Sequence, residues 1–99
     1  MDKINLILTL ACGSIVRKKL ILSTMNIKEK FGKKVNQLRV LKGFSIEHLA
    51  NISNVDRNYI SDIEKGKRNV SLGIMEKIII VLANDFETFF NDEIFKNKL

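Results

Sequence analysis

The sequence predicts an all-α protein, a bundle of five helices preceded by an extra N-terminal segment. Three observations lead there. Apolar residues recur at intervals of three and four along several segments, the period of an amphipathic helix. Helix-capping residues, Ser45, Asp56, Ser71 and Asp85, stand just ahead of such runs. With 99 residues the chain can bury one modest core and has no room for a second.

The first 24 residues read INLILTL, ACGS, IVRKKLIL, two apolar runs around a small-residue turn. Three readings compete for them. One is a secretory or lipoprotein signal, although the apolar run before Cys12 is shorter than the about 20 residues that span a bilayer, and Thr9 sits poorly in a lipoprotein pattern. Another is a hairpin or added helix packed on the domain or on a partner subunit. The third, preferred here, is that the functional product begins at Met25. The domain division expected is therefore residues 1–24 as an extension of uncertain role and residues 25–99 as the working unit.

From Ile27 to Leu41, the residues Ile27, Phe31, Val35, Leu38 and Leu41 form one stripe of a helix, with Lys28, Lys30, Lys33 and Lys34 on the opposite side. Gly43 follows Lys42 where a left-handed terminator is needed. Ser45 caps the next helix, whose Leu49, Ala50 and Ile52 share a face. Asp56 caps a third carrying Ile60 and Ile63. Only Ser53, Asn54 and Val55 are expected between these two helices, so they must meet steeply around shared apolar residues. The second then turns Arg57, Asn58, Ser61 and Asp62 outward. Ala50, being small, lets the pair approach closely.

Ser71 caps a helix through Ala83 with Leu72, Met75, Ile78, Ile79 and Leu82 as its core stripe. Ile74, Ile80 and Val81 lie beyond that stripe, so a second helix or subunit must cover them. Asp85 caps a last helix bearing Phe86, Phe89, Phe90, Ile94 and Phe95. The candidate dimer interface is Ile80, Val81, Phe86, Phe89 and Phe90.

Seventeen Lys and Arg against 11 Asp and Glu give a formal charge of +6, which favours a polyanionic partner. Placement matters more than the total. Residues 27–69 hold ten cations and five acids, whereas residues 70–99 hold three and five. The basic half therefore coincides with the steep helix pair, and the acidic, Phe-rich tail suits packing or self-association. One cysteine, Cys12, excludes an intramolecular disulfide, and with the lone His48 it makes no familiar zinc set. A reducing cytoplasm fits. No glycine-rich phosphate loop or nucleophile constellation is present, so neither catalysis nor a cofactor, metal or small-molecule substrate is expected.

Residues 45–69, SIEHLANISNVDRNYISDIEKGKRN, thus have the layout of a helix-turn-helix. In such a pair the N-terminal turn of the second helix enters the major groove. There Arg57 can bond guanine through O6 and N7, and Asn58 adenine through N6 and N7. Ser61, a turn further on, can reach a base or a phosphate. Asp62 can accept from cytosine N4, or keep phosphates away, or pair with Lys65 or Arg57. Ser45 at a helix start, Tyr59 through its hydroxyl, and Lys65, Lys67, Arg68 and Asn69 in the loop opened by Gly66 are candidates for the phosphate backbone. A partly buried structural tyrosine accounts for Tyr59 nearly as well.

The segment resembles the helix-turn-helix domains of the Cro and phage-repressor family. Within that family it is similar to the small controller proteins of restriction-modification systems. The resemblance spans roughly residues 27–90 and is most specific in VDRNYISDIEKGKRNVSL, residues 55–72, which follows those controllers' Asp-Arg-Thr-Tyr-Ile-Ser, Ile-Glu, Gly, Arg-Asn and Ser-Leu pattern. Asn58 stands where Thr is common, and Ile46 where repressors often place a DNA-contacting Gln. The resemblance implies a five-helix repressor-type helix-turn-helix bundle and an operator-binding regulator that activates or represses according to how many dimers are bound. It also implies that Arg68 reaches a groove and that Glu64 holds Arg39. The partners expected are a double-stranded DNA operator and a second copy of the chain, with no membrane. The alternatives are a phage-type repressor or antitoxin, or, in another class, a membrane-associated or protein-docking module anchored by residues 1–24.

Overall fold

Asn26 begins the first helix through a reciprocal cap. Its side chain accepts from the Glu29 amide at 2.9 Å, and the Glu29 carboxylate accepts from the Asn26 amide at 3.1 Å. This is the opening of a computed structural model that describes residues 25–96 of the chain. Among these residues there are five α-helices: α1 Ile27–Leu41, α2 Ile46–Ser53, α3 Arg57–Glu64, α4 Leu72–Ala83 and α5 Phe86–Phe90, followed by a 3-10 turn at Glu93–Phe95. The expected all-α, five-helix bundle is the fold observed. The three readings of residues 1–24, Cys12 among them, lie outside the described residues.

Each predicted cap is in place. Ser45 accepts from the His48 amide, Asp56 from those of Asn58 and Tyr59, Ser71 from Ile74, and Asp85 from Thr88. Gly43 ends α1 at φ 72°, a conformation that suits glycine. Asn54 ends α2 at φ 57°, using the tolerance of asparagine for the left-handed region.

The core is built where α1 and α2 each pack against both α3 and α4, with α5 closing on α4. Val35, Leu49, Ile60, Ile63, Ile78, Ile79 and Phe89 are fully enclosed. At about 1.5–3 kcal/mol for each such side chain, their burial is the main driving term. α1 and α3 touch backbone to backbone, since a Cβ on Gly32 would lie 2.0 Å from the Ile63 carbonyl oxygen. Across the same contact Arg39 forks onto Glu64, at 2.7 Å from Nε and 3.1 Å from Nη2, and donates to the Phe44 carbonyl at 2.7 Å. The hydrogen bonds that Arg39 donates to Glu64 raise the pKa of its guanidinium against the opposing pull of burial.

Several details depart from the sequence expectations. α2 continues through Ser53, so the connector is Asn54, Val55 and Asp56. The buried row of α2 is Leu49, Ala50 and Ser53, at spacings of one and three, whereas Ile52 is 44% exposed. Ser53 is accommodated because its hydroxyl donates to the Leu49 carbonyl at 2.6 Å. Ile27, Leu41 and Leu72 extend past the core at helix ends and are exposed. Lys30 and Lys34, assigned to the solvent side of α1, are buried; Lys34 donates to Asp92 at 2.6 Å. The last helix stops at Phe90, because Asp92 redirects the chain by accepting from the Ile94 amide. Phe89, taken as an interface residue, is wholly enclosed, its ring 5.2 Å from Phe31, 5.0 Å from Phe90 and 5.9 Å from Phe95. It supports the neighbouring surface from beneath.

Candidate nucleic-acid interface

Asp56 fixes where α3 starts. By taking up two amides of the first turn, at 3.0 and 3.3 Å, it sets Arg57 and Asn58 as the first exposed side chains of α3. Ile60 and Ile63 anchor the opposite side in the core, so the helix cannot roll without exposing them. Ser61 and Asp62 follow on the outward side, half-buried. The four expected base-contact residues thus share one strip on the outward side of α3, Arg57 and Asn58 exposed and Ser61 and Asp62 half-buried.

The strip is not a row of independent side chains. Arg57 is braced by Glu47 of α2, with 3.4 Å between Nε and Oε1, both side chains largely exposed. Asp62 faces neither Lys65 nor Arg57, the partners named from sequence. It pairs with Arg68, 3.4 Å from Oδ2 to Nε. The Arg68 guanidinium also lies over the Tyr59 ring, 4.5 Å from its centroid. The half-buried Tyr59 is therefore both a core-flanking ring and a platform for a cation.

Beyond α3 the chain turns at Gly66, whose φ is 72°, and exposes Lys65, Lys67, Arg68 and Asn69 beside the strip. Ser45 is exposed at the start of α2; its oxygen accepts the His48 amide at 3.0 Å, which leaves its O–H to donate outward. Ile46 is half-buried against the core and offers no polar reach from that position. His48 lies on the surface with its ring edge-on to Phe44 at 4.7 Å.

Sequence reasoning missed Glu47, whose pairing with Arg57 spans the helix-turn-helix. It also missed the Asp62–Arg68 pair, since a spacing of six does not put two residues on one helical face. Gly66, which allows the fold-back that joins them, was the available signal. Among the described residues no helix is long and apolar enough to cross a membrane, and no group of three or more His, Cys, Asp or Glu is placed to hold a metal.

This geometry has known counterparts. The helix-turn-helix family matches residues 35–89. Control protein C.BamHI of Bacillus amyloliquefaciens is 54% identical over 77 residues, an alignment covering 71% of this chain and 95% of that protein. Control protein C.MunI of Mycoplasma sp is 44% identical over 68 residues, covering 68% and 92%. The crystal structure of the restriction-modification controller protein C.AhdI from Aeromonas hydrophila superposes with a TM-score of 0.60 at 40% identity, covering 64% of this chain and 96% of that one. A family match across more than half of the chain, together with relatives covered almost end to end, shows that this chain belongs to the helix-turn-helix family, among the restriction-modification controller proteins.

Proposed function

We propose that this protein is a sequence-specific DNA-binding regulator of transcription that controls a restriction-modification operon and acts on its own promoter. The observation that carries the reading is the exposed first turn of α3, where the Asp56 cap presents Arg57 and Asn58 beside a basic loop. Arg57, Asn58 and Ser61 read base edges in the major groove. Ser45, Tyr59, Lys65, Lys67, Arg68 and Asn69 position the protein on phosphate and sugar. The reading needs no cofactor, metal or catalytic group, and it places the protein in the cytoplasm with its DNA.

A single reader helix covers too few base pairs to compete with a genome of alternative sites, so the active species is a homodimer on two half-sites about 34 Å apart. Ile80, 53% exposed, and Phe86, 39% exposed, supply the apolar contact, flanked by the half-buried Val81 and Phe90. In this account residues 25–99 form the reading and dimerising unit, and residues 1–24 are dispensable for DNA binding. The docking-module alternative rests on residues 1–24, which lie outside the described residues.

Footprinting of the DNA upstream of this gene, with chains begun at Met1 and at Met25, tests the proposal. The expected result is the same pair of protected half-sites, one helical turn apart, for both chains. Absence of protection by either would remove autoregulation, and protection by the longer chain alone would give residues 1–24 a part in binding.

A further inference from the structure

Arg68 is held in one plane by the recognition helix itself. After α3 the Lys67 amide donates to the Asp62 carbonyl at 3.0 Å and Gly66 takes a positive φ, so residue 68 is returned to the outward side of the helix it has just left. Tyr59 and Asp62 are three apart, neighbours one turn along that helix. Between them they fix the guanidinium: the Tyr59 ring lies under its carbon at 4.5 Å, and the Asp62 carboxylate faces its Nε at 3.4 Å. The hydrogen bond of Arg68 uses Nε alone, so both Nη groups are without a protein acceptor among the described residues.

A guanidinium reads a planar target only when its fork is correctly aimed, and a long side chain loses that aim unless something braces it. The pair is too exposed to matter much for folding. What it does define is direction. We propose that Asp62 is a positioning residue for Arg68, and through it a determinant of specificity rather than a base contact. This rests on the DNA-reading proposal above. With the brace, the free Nη fork is presented in one orientation to the one groove geometry that fits. Without it, Arg68 sweeps the surface as a mobile cation and settles on any phosphate within reach, which favours all sequences alike.

The test compares wild type, Asp62→Asn, Asp62→Glu, Arg68→Ala and the Asp62→Asn/Arg68→Ala double variant. Two probes are used: a duplex selected by the wild-type protein from a random library, and the same duplex with its sequence shuffled. Thermal melting of each variant checks that it folds. The quantity read is the ratio of the two affinities, from which simple repulsion between Asp62 and phosphate cancels because it acts on both duplexes. Asp62→Asn is expected to lower the ratio about tenfold, within the range of one lost specific contact. Asp62→Glu should restore most of it, and in the Arg68→Ala background Asp62→Asn should leave the ratio unchanged. An equal fall in that background, no fall at all, or no rescue by Asp62→Glu overturns the positioning role while leaving DNA reading intact. A wild-type protein that does not separate selected from shuffled duplex overturns both proposals together.

Discussion

Arg57 and Lys67 are both exposed cations near the same strip, yet their chemistry assigns them different work. Arg57 carries a planar fork suited to a guanine edge, whereas Lys67 is a point charge in a loop. Arg57→Ala should therefore cost about 1–3 kcal/mol of binding and relax the preference at one operator position. Lys67→Ala should weaken all sequences similarly and reduce the slope of log affinity against log salt by about 0.9. Binding to a panel of single-base operator variants across a salt series separates the two, and equal effects from both substitutions contradict the assigned roles. The Glu47 brace on Arg57 does not oppose this, since an exposed pair of that kind is worth only about 0–1 kcal/mol and yields to a base contact. The Arg39–Glu64 fork is different, being largely buried and shared with Asn36 and the Phe44 carbonyl. Glu64→Gln should cost about 3 kcal/mol of stability, because it leaves a buried guanidinium without its counter-charge. Urea denaturation measures that loss.

At the scale of elements, what was legible in the sequence was local. The caps at Ser45, Asp56, Ser71 and Asp85 act within three residues of themselves, and each reads directly as a helix start. The exposed place of Arg57 and Asn58 in the first turn of α3 was legible for the same reason, because a cap fixes which side chains come next. Contacts made by folding were not. Nothing in the sequence near Lys34 indicates that Asp92, 58 residues away, will draw it into the core edge. Lacking that partner, the sequence placed Lys34 on a solvated face and extended the last helix through the very residue that breaks it. The burial of Ser53 in place of Ile52 is a similar case, decided by how α2 is rotated against its neighbours. Gly32 lets α1 lie directly against the backbone of α3, and Gly32→Ala should cost about 3 kcal/mol by pushing α1 away from the Ile63 carbonyl. A change within the error of the melt would mean that the two helices separate freely there. The C-terminal turn carries a pH signature of its own. Burial pushes the Asp92 carboxyl up, but the Lys34 ammonium and the Ile94 and Glu93 amides outweigh it, so its pKa is lowered overall. A carboxylate with a lowered folded pKa contributes stability that is complete above its unfolded value, about 3.9, and is lost as the pH falls through the folded value. Amide exchange at Ile94 should accordingly accelerate as the pH drops below about 4, after correction for intrinsic rates. A Lys34→Met variant should show that acid dependence much reduced.

For the whole molecule, the proposed function gives the basic helix pair and the acidic, Phe-rich end separate tasks on one small core. Phe89 is enclosed against Phe31 of α1, while Ile80 and Phe86 remain exposed. Substitutions on the two layers should therefore separate assembly from folding. Ile80→Asp is expected to give a folded monomer in sedimentation with weakened operator binding, whereas Phe89→Asp should unfold the protomer. A dimer that survives Ile80→Asp would place the interface elsewhere. Operator recognition, as proposed, depends on the outward strip of α3 reading sequence. The most direct test is a salt-titrated affinity measurement of the wild-type protein on the duplex upstream of its gene and on a shuffled duplex of the same composition. The upstream duplex should be preferred by about 1,000-fold or more at physiological salt, with both affinities falling as salt rises. Equal affinities across the whole salt range would contradict it, because they would leave a basic surface that binds DNA without reading it.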